Sequence, residues 1–234
     1  MSDPVQRRLT PELLDELPAA DPRAEHSRRD LCRVNALLGH ARIIAGSLAT
    51  LAAGQPVLRL IELGAGDGTI LLEVARRLPR RRAEVWLIDR QSLVQPGTAA
   101  AFAALGWQVQ TAAADAFDWL DKRTGPPADV ILSNLFLHHF EDARLRTLLS
   151  LMAAHARAAI ACEPRRSRFS LAAARLLGLL GCNDVTRHDA LASIEAGFAN
   201  DELSRVWPRG GGWATHETRA GWFSHFFQAR PRGT

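Results

Sequence analysis

Leu60-Ile61-Glu62-Leu63-Gly64-Ala65-Gly66-Asp67-Gly68-Thr69 is the stretch that decides the fold. The apolar run 57–63 reads as a buried strand. Residues 69–78, with Ile70, Leu71, Val74 and Leu78 at helical spacing, read as a helix. Three alternate glycines separate them. Glycine reaches positive φ and lets a ligand approach the backbone closely. The helix behind the turn begins with N–H groups that have no partner in the helix. The spacing is G-x-G-x-G, not the G-x-G-x-x-G of dinucleotide binders. A carboxylate at Glu62, just before the first glycine, would repel a pyrophosphate and suits a ligand with ammonium or hydroxyl groups. A tight βα turn that binds nothing is the competing reading.

Outward from this turn the chain alternates. Residues 84–88 read as a strand ending in Asp89, 98–105 as a helix and 107–110 as a short strand. Residues 128–133 read as a strong buried strand, 142–155 as a helix and 158–162 as a further strand. Apolar strands alternating with helices predict a parallel sheet covered on both faces. Upstream, residues 10–45 predict two helices. Thr10 caps the first, which carries Leu13, Leu14 and Leu17. After a break between Pro18 and Pro22, the second runs over about 27–45 with Leu31, Val34, Leu37 and Leu38 on one face. Downstream, 167–180 reads as helical, 183–189 as polar, 201–206 as a short helix, and 214–219 with 222–229 as a closing hairpin. The expected organisation is a helical cap over 1–50 and one domain over 51–234, with a helical insertion at about 165–207.

The 234 residues carry 29 Lys+Arg against 25 Asp+Glu, a net charge of +4. Lys122 is the sole lysine. The basic residues are scattered except for Arg80, Arg81 and Arg82, which follow a helix end and complement its dipole. No nucleic-acid partner is expected from such a distribution. Cys32, Cys162 and Cys182 have neither zinc-site nor disulfide-framework spacing, which fits a reducing cytoplasm. The polar start is unlike a signal peptide, and no apolar run reaches membrane-spanning length, so no membrane association is expected.

Two further acids extend the glycine signal. Asp89 closes its strand 21 positions after Gly68, where a carboxylate can accept both hydroxyls of a ribose. Asp115 follows the next strand and can accept from an adenine amino group. Each alone reads equally well as a capping or turn aspartate; together they make an adenosine cradle.

Glu62-Leu63-Gly64-Ala65-Gly66-Asp67-Gly68, Asp89, Asp115 and Ser133-Asn134-Leu135-Phe136-Leu137-His138-His139 resemble, in order, the motifs of class I S-adenosylmethionine-dependent methyltransferases. The resemblance covers roughly residues 35–165, with a matching strand pair at 214–229. It implies a Rossmann-like α/β fold: a seven-stranded, mostly parallel sheet with a C-terminal antiparallel hairpin strand, helices on both faces and an N-terminal helical extension. It implies S-adenosyl-L-methionine as cofactor, with Glu62, Gly64, Ala65, Gly66 and Gly68 facing its methionine part, Asp89 the ribose and Asp115 the adenine. Asn134 and Leu135 would lie beside the methyl group, and Arg90 and Ala116 complete the expected cofactor site. Arg28-Arg29-Asp30-Leu31-Cys32-Arg33-Val34-Asn35, Arg165-Arg166-Ser167 and Thr186-Arg187-His188-Asp189 look like a bacterial group within that class, often linked to aromatic polyketide pathways.

Methyl transfer from a sulfonium is an in-line displacement that needs alignment and exclusion of water. A hydroxyl acceptor must also lose a proton, for which histidine is the natural base. Leu137-His138-His139-Phe140-Glu141-Asp142 resembles the L-H-D-W-x-D stretch of many O-methyltransferases, whose first histidine is the general base; that role maps onto His138. The same resemblance makes Glu163 the acid that orients it, and His139 the weaker catalytic candidate. Histidine pairs here also cap helices or shape pockets in methyltransferases of other chemistry. Phe136, Arg187 and His188 are expected at the acceptor, although a cluster such as Arg187-His188-Asp189 also reads as a salt-bridged loop. Phe169, Leu176 and Leu180 are expected to wall the acceptor or, better for the leucines, to form core beneath the insertion. No metal-ligand set is evident.

The expected function is therefore methylation of a small, phenolic or hydroxylated acceptor, with N- or C-methylation, or a non-catalytic cofactor-binding role, as alternatives. A nicotinamide enzyme with a Tyr-Lys dyad is excluded, because the chain has no tyrosine. The Asn-Pro-Pro-aromatic tetrad of amide and exocyclic-nitrogen methyltransferases is replaced by Ser133-Asn134-Leu135-Phe136. The N-terminal helices are expected to lid the pocket or to mediate a homodimer.

Overall fold

The computed structural model describes residues 6–232 except 19, 52, 79 and 80. The first five residues, Ala19 in the proline-flanked break and Arg80 of the basic run lie outside the described residues. The strands are β1 (Val57–Leu63), β2 (Arg82–Asp89), β3 (Trp107–Ala113), β4 (Ala128–Asn134), β5 (Ala156–Pro164), β6 (Trp213–Ala220) and β7 (Ser224–Pro231). They form one seven-stranded sheet in the order β3-β2-β1-β4-β5-β7-β6. β1 to β5 pair in parallel; β7 runs antiparallel to β5 and to β6. The fold class expected from the sequence is the one found. The order reverses direction between β1 and β4, and in such sheets the carboxyl ends of the two central strands part there to leave a crevice.

Strand alternation sends neighbouring side chains to opposite faces. Leu58 and Leu60 join Ile44, Leu71, Val74 and Phe102 in one core layer. Ile61 and Leu63 join Leu145, Leu148, Met152 and Trp207 in the other. The first layer is covered by α3 (His40–Leu51), α4 (Thr69–Arg77) and α5 (Pro96–Ala104), the second by α6 (Ala116–Lys122), α7 (Asp142–His155) and α10 (Glu202–Val206).

The N-terminal part departs from expectation. α1 (Leu13–Glu16) is a single turn whose N-cap is Glu12, not Thr10. The long second helix is two helices, α2 (Pro22–Leu38) and α3, bent by 58° at Gly39. Gly39 sits at φ 70°, a left-handed cap that ends a helix at little cost only for glycine. The predicted leucine face of α2 is not its buried one: Leu37 is exposed, and Ala24, Ser27, Asp30 and Asn35 are buried. Asp30 explains this. Its carboxylate accepts from Asn183 N–H (2.9 Å) and Thr186 Oγ–H (3.0 Å), so α2 docks on α9 (Asp184–Ala196) through polar contacts.

Between β5 and β6 lie α8 (Arg168–Ala174), a 3-10 turn (Leu177–Leu180), α9 and α10. Phe169, Leu176 and Leu180 are neither core nor cleft wall. All three are more than half exposed, and Phe169 stacks on Phe223 with ring centroids 5.5 Å apart. The leucine run protrudes because α9, through Val185, Ala192 and Ala196, supplies the buried face of this region instead. No single described helix is long and apolar enough to cross a membrane.

Candidate functional site

The glycine turn closes β1 at the switch point. Gly64, Gly66 and Gly68 adopt φ of 69°, 55° and 75°. Gly64 N–H and Ala65 N–H donate to the Ile88 carbonyl at 2.9 and 3.1 Å, which ties the turn to β2. A Cβ on Gly64 would fall 2.4 Å from the Phe136 ring, so this position admits only glycine while Phe136 stays in place. A Cβ on Gly66 would meet nothing within 4 Å, so its backbone lies open. Gly68 does something different. It is the N-cap of α4, and a Cβ there would press on Leu87 at 3.0 Å.

A cleft of about 750 Å³ opens in front of this turn. Of the expected cofactor residues, Gly64, Ala65, Gly66, Asp89, Arg90, Asp115, Ala116, Asn134 and Leu135 line it; Glu62 and Gly68 do not. Gly68 is turned into helix packing. Glu62 lies buried under the turn, on the strand face that carries Leu58 and Leu60. Its Oε2 has no hydrogen-bond partner among the described residues, and burial, then the charges of Asp67 and Asp89, push its pKa well up. Asp89 accepts from Gly66 N–H and Gln91 N–H, both at 2.9 Å, which draws the second glycine toward the end of β2. Asp115 caps α6 by accepting from Phe117 N–H at 2.8 Å and also faces the cleft, so capping and ligand-facing roles coexist in one residue. Two carboxylates on successive strand ends, an open glycine backbone and an orphaned carboxylate oxygen beneath it fit an adenosyl sulfonium.

The other wall is the end of β4. Leu135 holds φ 52°, a left-handed conformation unusual for a branched residue, and its N–H donates to the Cys162 carbonyl at 2.9 Å. Asn134 Oδ1 is 2.8 Å from His40 Nδ1, and His40 Nε2 is 2.7 Å from Ser224 Oγ. An amide oxygen only accepts, so His40 Nδ1 carries a hydrogen and Nε2 accepts from the serine. Burial lowers the His40 pKa to about 4, which keeps this link neutral, and Asn134 lines the cleft.

His138 and His139 sit in a 3-10 turn (Leu137–His139) beyond Asn134, and both line the cleft. Glu163, fully buried at the end of β5, accepts from Phe136 N–H (3.1 Å), Leu137 N–H (2.9 Å) and His138 Nδ1 (2.8 Å). Burial raises its pKa, but the hydrogen bond and charge of His138 and the two backbone N–H groups outweigh that and hold it below the ordinary value. His138 Nε2 lies 3.2 Å from Glu12 Oε1. Burial alone would lower the His138 pKa, but hydrogen bonds to Glu12 and Glu163 raise it to about 9. Glu12 is correspondingly held at about 2 against its own desolvation. Burial and the neighbouring His138 charge lower the pKa of His139.

Phe136 lines the cleft and packs edge-on to Phe140 at 5.0 Å. Arg187 and His188, expected at the acceptor, do not line it. His188 pairs with Asp189 at 2.9 Å, and the Arg187 side chain lies against Gly178. Asp189, the next residue, is buried and accepts from Leu13 and Leu14 N–H. The motif lies in the first turns of α9 and fastens the N-terminal segment, so it is neither an acceptor-site wall nor a loop.

Glu12, Asp15 and His40 were not foreseen. Glu12 and Asp15 line the cleft, and Glu12, His138 and His139 bring donor atoms within 4.8 Å of one another, a set no sequence spacing announced. Contacts across 126 and 94 positions leave no local signal in a single sequence.

Residues 60–159 match the family model described as a methyltransferase domain. No curated protein matches the sequence. An O-methyltransferase family protein from Burkholderia thailandensis is similar over 93% of this chain, with 19% identity and a TM-score of 0.57; this chain spans 65% of its length. The plantazolicin methyltransferase solved with S-adenosylhomocysteine gives 13% identity and a TM-score of 0.63 over 91% of this chain and 92% of that one. The magnesium protoporphyrin IX methyltransferase from Synechocystis, solved with bound S-adenosylmethionine, gives 18% identity and a TM-score of 0.53 over 91% and 87%. At these identities the structural likenesses speak for the fold. Residues 60–159 thus match a methyltransferase domain, on a fold shared with these methyltransferase structures.

Proposed function

We propose that the protein methylates a hydroxyl or phenolic oxygen of a small acceptor, with His138 as general base and Glu163 as the residue that orients it. The observation that carries this reading is the 2.8 Å contact between buried Glu163 and His138 Nδ1, at the ends of β4 and β5. An ionised carboxylate only accepts, so Nδ1 bears the hydrogen and Nε2 is the nitrogen turned to the cleft. When bound, S-adenosylmethionine supplies an electrophilic methyl group on sulfur. Asp89 and Asp115 would hold its ribose and adenine, and Gly66 its methionine part. The Asn134 amide and the Leu135 backbone would fix the acceptor side. Phe136 and Phe140 exclude water there. His138 Nε2 would take the acceptor's proton as its oxygen attacks. The three cysteines are free thiols, which suits the cytoplasm.

Calorimetry with S-adenosylhomocysteine tests the cofactor half. Wild type is expected to bind and Asp89→Ala to lose most of that affinity; equal binding by the two removes Asp89 from the site. A methylation assay over a panel of simple phenols tests the other half. His138→Ala is expected to keep cofactor affinity and to lose methyl transfer by about 100-fold or more. Unchanged turnover ends the base role.

A further inference from the structure

We propose that Glu12 gates the acceptor site: carried across the cleft by the N-terminal strap 7–15, it occupies the ring nitrogen of His138 that an acceptor hydroxyl must reach, and the acceptor enters by taking its place. This rests on the base role given to His138 above.

Glu163 already holds Nδ1, so Nε2 is the only nitrogen His138 can offer, and Glu12 Oε1 stands 3.2 Å from it. Glu12 also accepts from Ser193 Oγ–H of α9. The strap is fastened on both sides of this contact. Ahead of it, the Arg7 guanidinium donates to the carbonyls of Ala196 (2.9 Å) and Phe140 (2.7 Å), and Arg8 N–H to Glu195 O (3.0 Å). Behind it, Leu13 and Leu14 N–H donate to Asp189 at 2.8 and 2.9 Å. α1 has no buried residue. The strap is thus held by polar contacts rather than by core packing, the kind of segment that opens without unfolding the domain.

The gate also sets the charge of the base. Four titratable or charged groups face His138: Glu163 from β5, Glu12 from the strap, His139 beside it, and Arg7, whose guanidinium is 3.2 Å from the His138 carbonyl. Asp15 of α1 reaches the cluster through His139, at 3.7 Å. Between two carboxylates the ring is held cationic up to about pH 9 and cannot accept a proton. Withdrawal of Glu12 frees Nε2 and removes one of those carboxylates in the same movement, so opening and activation of the base are one event.

The test needs no acceptor. Ring resonances of isotope-labelled histidine report the His138 titration, and amide exchange at Leu13 and Leu14 reports the strap, in wild type and Glu12→Gln. The expected results are a midpoint lower by about one unit or more in Glu12→Gln, which is about tenfold more neutral ring at a given pH, and faster exchange at both amides. An unchanged midpoint or unchanged exchange overturns the gate. Zinc provides the control for the other chemistry this cluster permits. If equimolar Zn2+ shifts His138 and His139 together in wild type but not in Glu12→Gln, the cluster is a cation site and the gate falls. These readings are independent of turnover. A lowered midpoint together with full methylation by His138→Ala would therefore break the base assignment and leave the Glu12–His138 contact standing.

Discussion

Replacing Glu163 separates what this carboxylate does for the fold from what it does for the base. In Glu163→Ala, three donors lose their acceptor: the part-buried Phe136 N–H and the buried Leu137 N–H and His138 Nδ1–H. A stranded buried N–H costs about 1–3 kcal/mol, and a buried ion pair broken on one side about 3–5 kcal/mol. The terms overlap, because one carboxylate serves all three donors, so a loss of about 4–7 kcal/mol is expected. That is comparable with the whole stability of about 5–15 kcal/mol typical of a folded domain. Glu163→Gln keeps the volume and one oxygen for the two backbone donors, so its cost is expected to be about 1–2 kcal/mol. Its NH2, however, then faces Nδ1 and forces the ring hydrogen onto Nε2. A base in the wrong tautomer loses about 10³–10⁴-fold in rate, as when the orienting aspartate of a serine-protease triad becomes asparagine. Urea unfolding measures the first pair of effects. Nitrogen NMR of the imidazole and a methylation assay measure the second. Glu163→Ala within about 1 kcal/mol of wild type, or Glu163→Gln with the hydrogen still on Nδ1, would refute the reasoning.

The glycine turn predicts a contrast between neighbours. Gly66→Ala meets only the strain of a left-handed alanine, about 1–2 kcal/mol, whereas Gly64→Ala adds overlap with the Phe136 ring, a further 1–3 kcal/mol or so. Urea midpoints of the two variants, and partial relief of Gly64→Ala by Phe136→Ala, check this; equal midpoints contradict it. Stability is expected to peak near pH 6.5 and to fall on both sides. His138 has a folded pKa of about 9, above its ordinary 6.5, so the stability it contributes is complete below 6.5 and is lost as pH rises through 9. His40 is held at about 4, so its contribution is present above 6.5 and is lost as pH falls toward 4. Urea unfolding at a series of pH values measures both limbs, and His40→Gln should flatten only the acid one.

The alternation of apolar strands and helices, the glycine turn and the acids at strand ends were legible because each is a short-range pattern. Strand periodicity, the φ demands of glycine and the position of a residue at the end of a strand are all set within about ten neighbours. The seven-stranded sheet and the placing of Asp89, Asp115, Asn134 and His138 at one rim follow from those patterns once the strands pair. Glu62 was misplaced because the period-two rule says which face of β1 it joins, not whether the cleft reaches that face. The break at Gly39 was missed because an isolated glycine inside a helical pattern can be tolerated, so its presence alone does not mark a helix end. The strap lay beyond local reading. Glu12 meets His138, and Asp189 meets Leu13 and Leu14, through polar contacts spanning more than 120 positions, and such contacts leave no hydrophobic period. The sequence by itself determined the sheet, its carboxyl rim and the identity of the groups gathered there. Only the tertiary structure decided which of them stand face to face, because a hydrogen bond between distant residues is fixed by the packing of the elements that carry them.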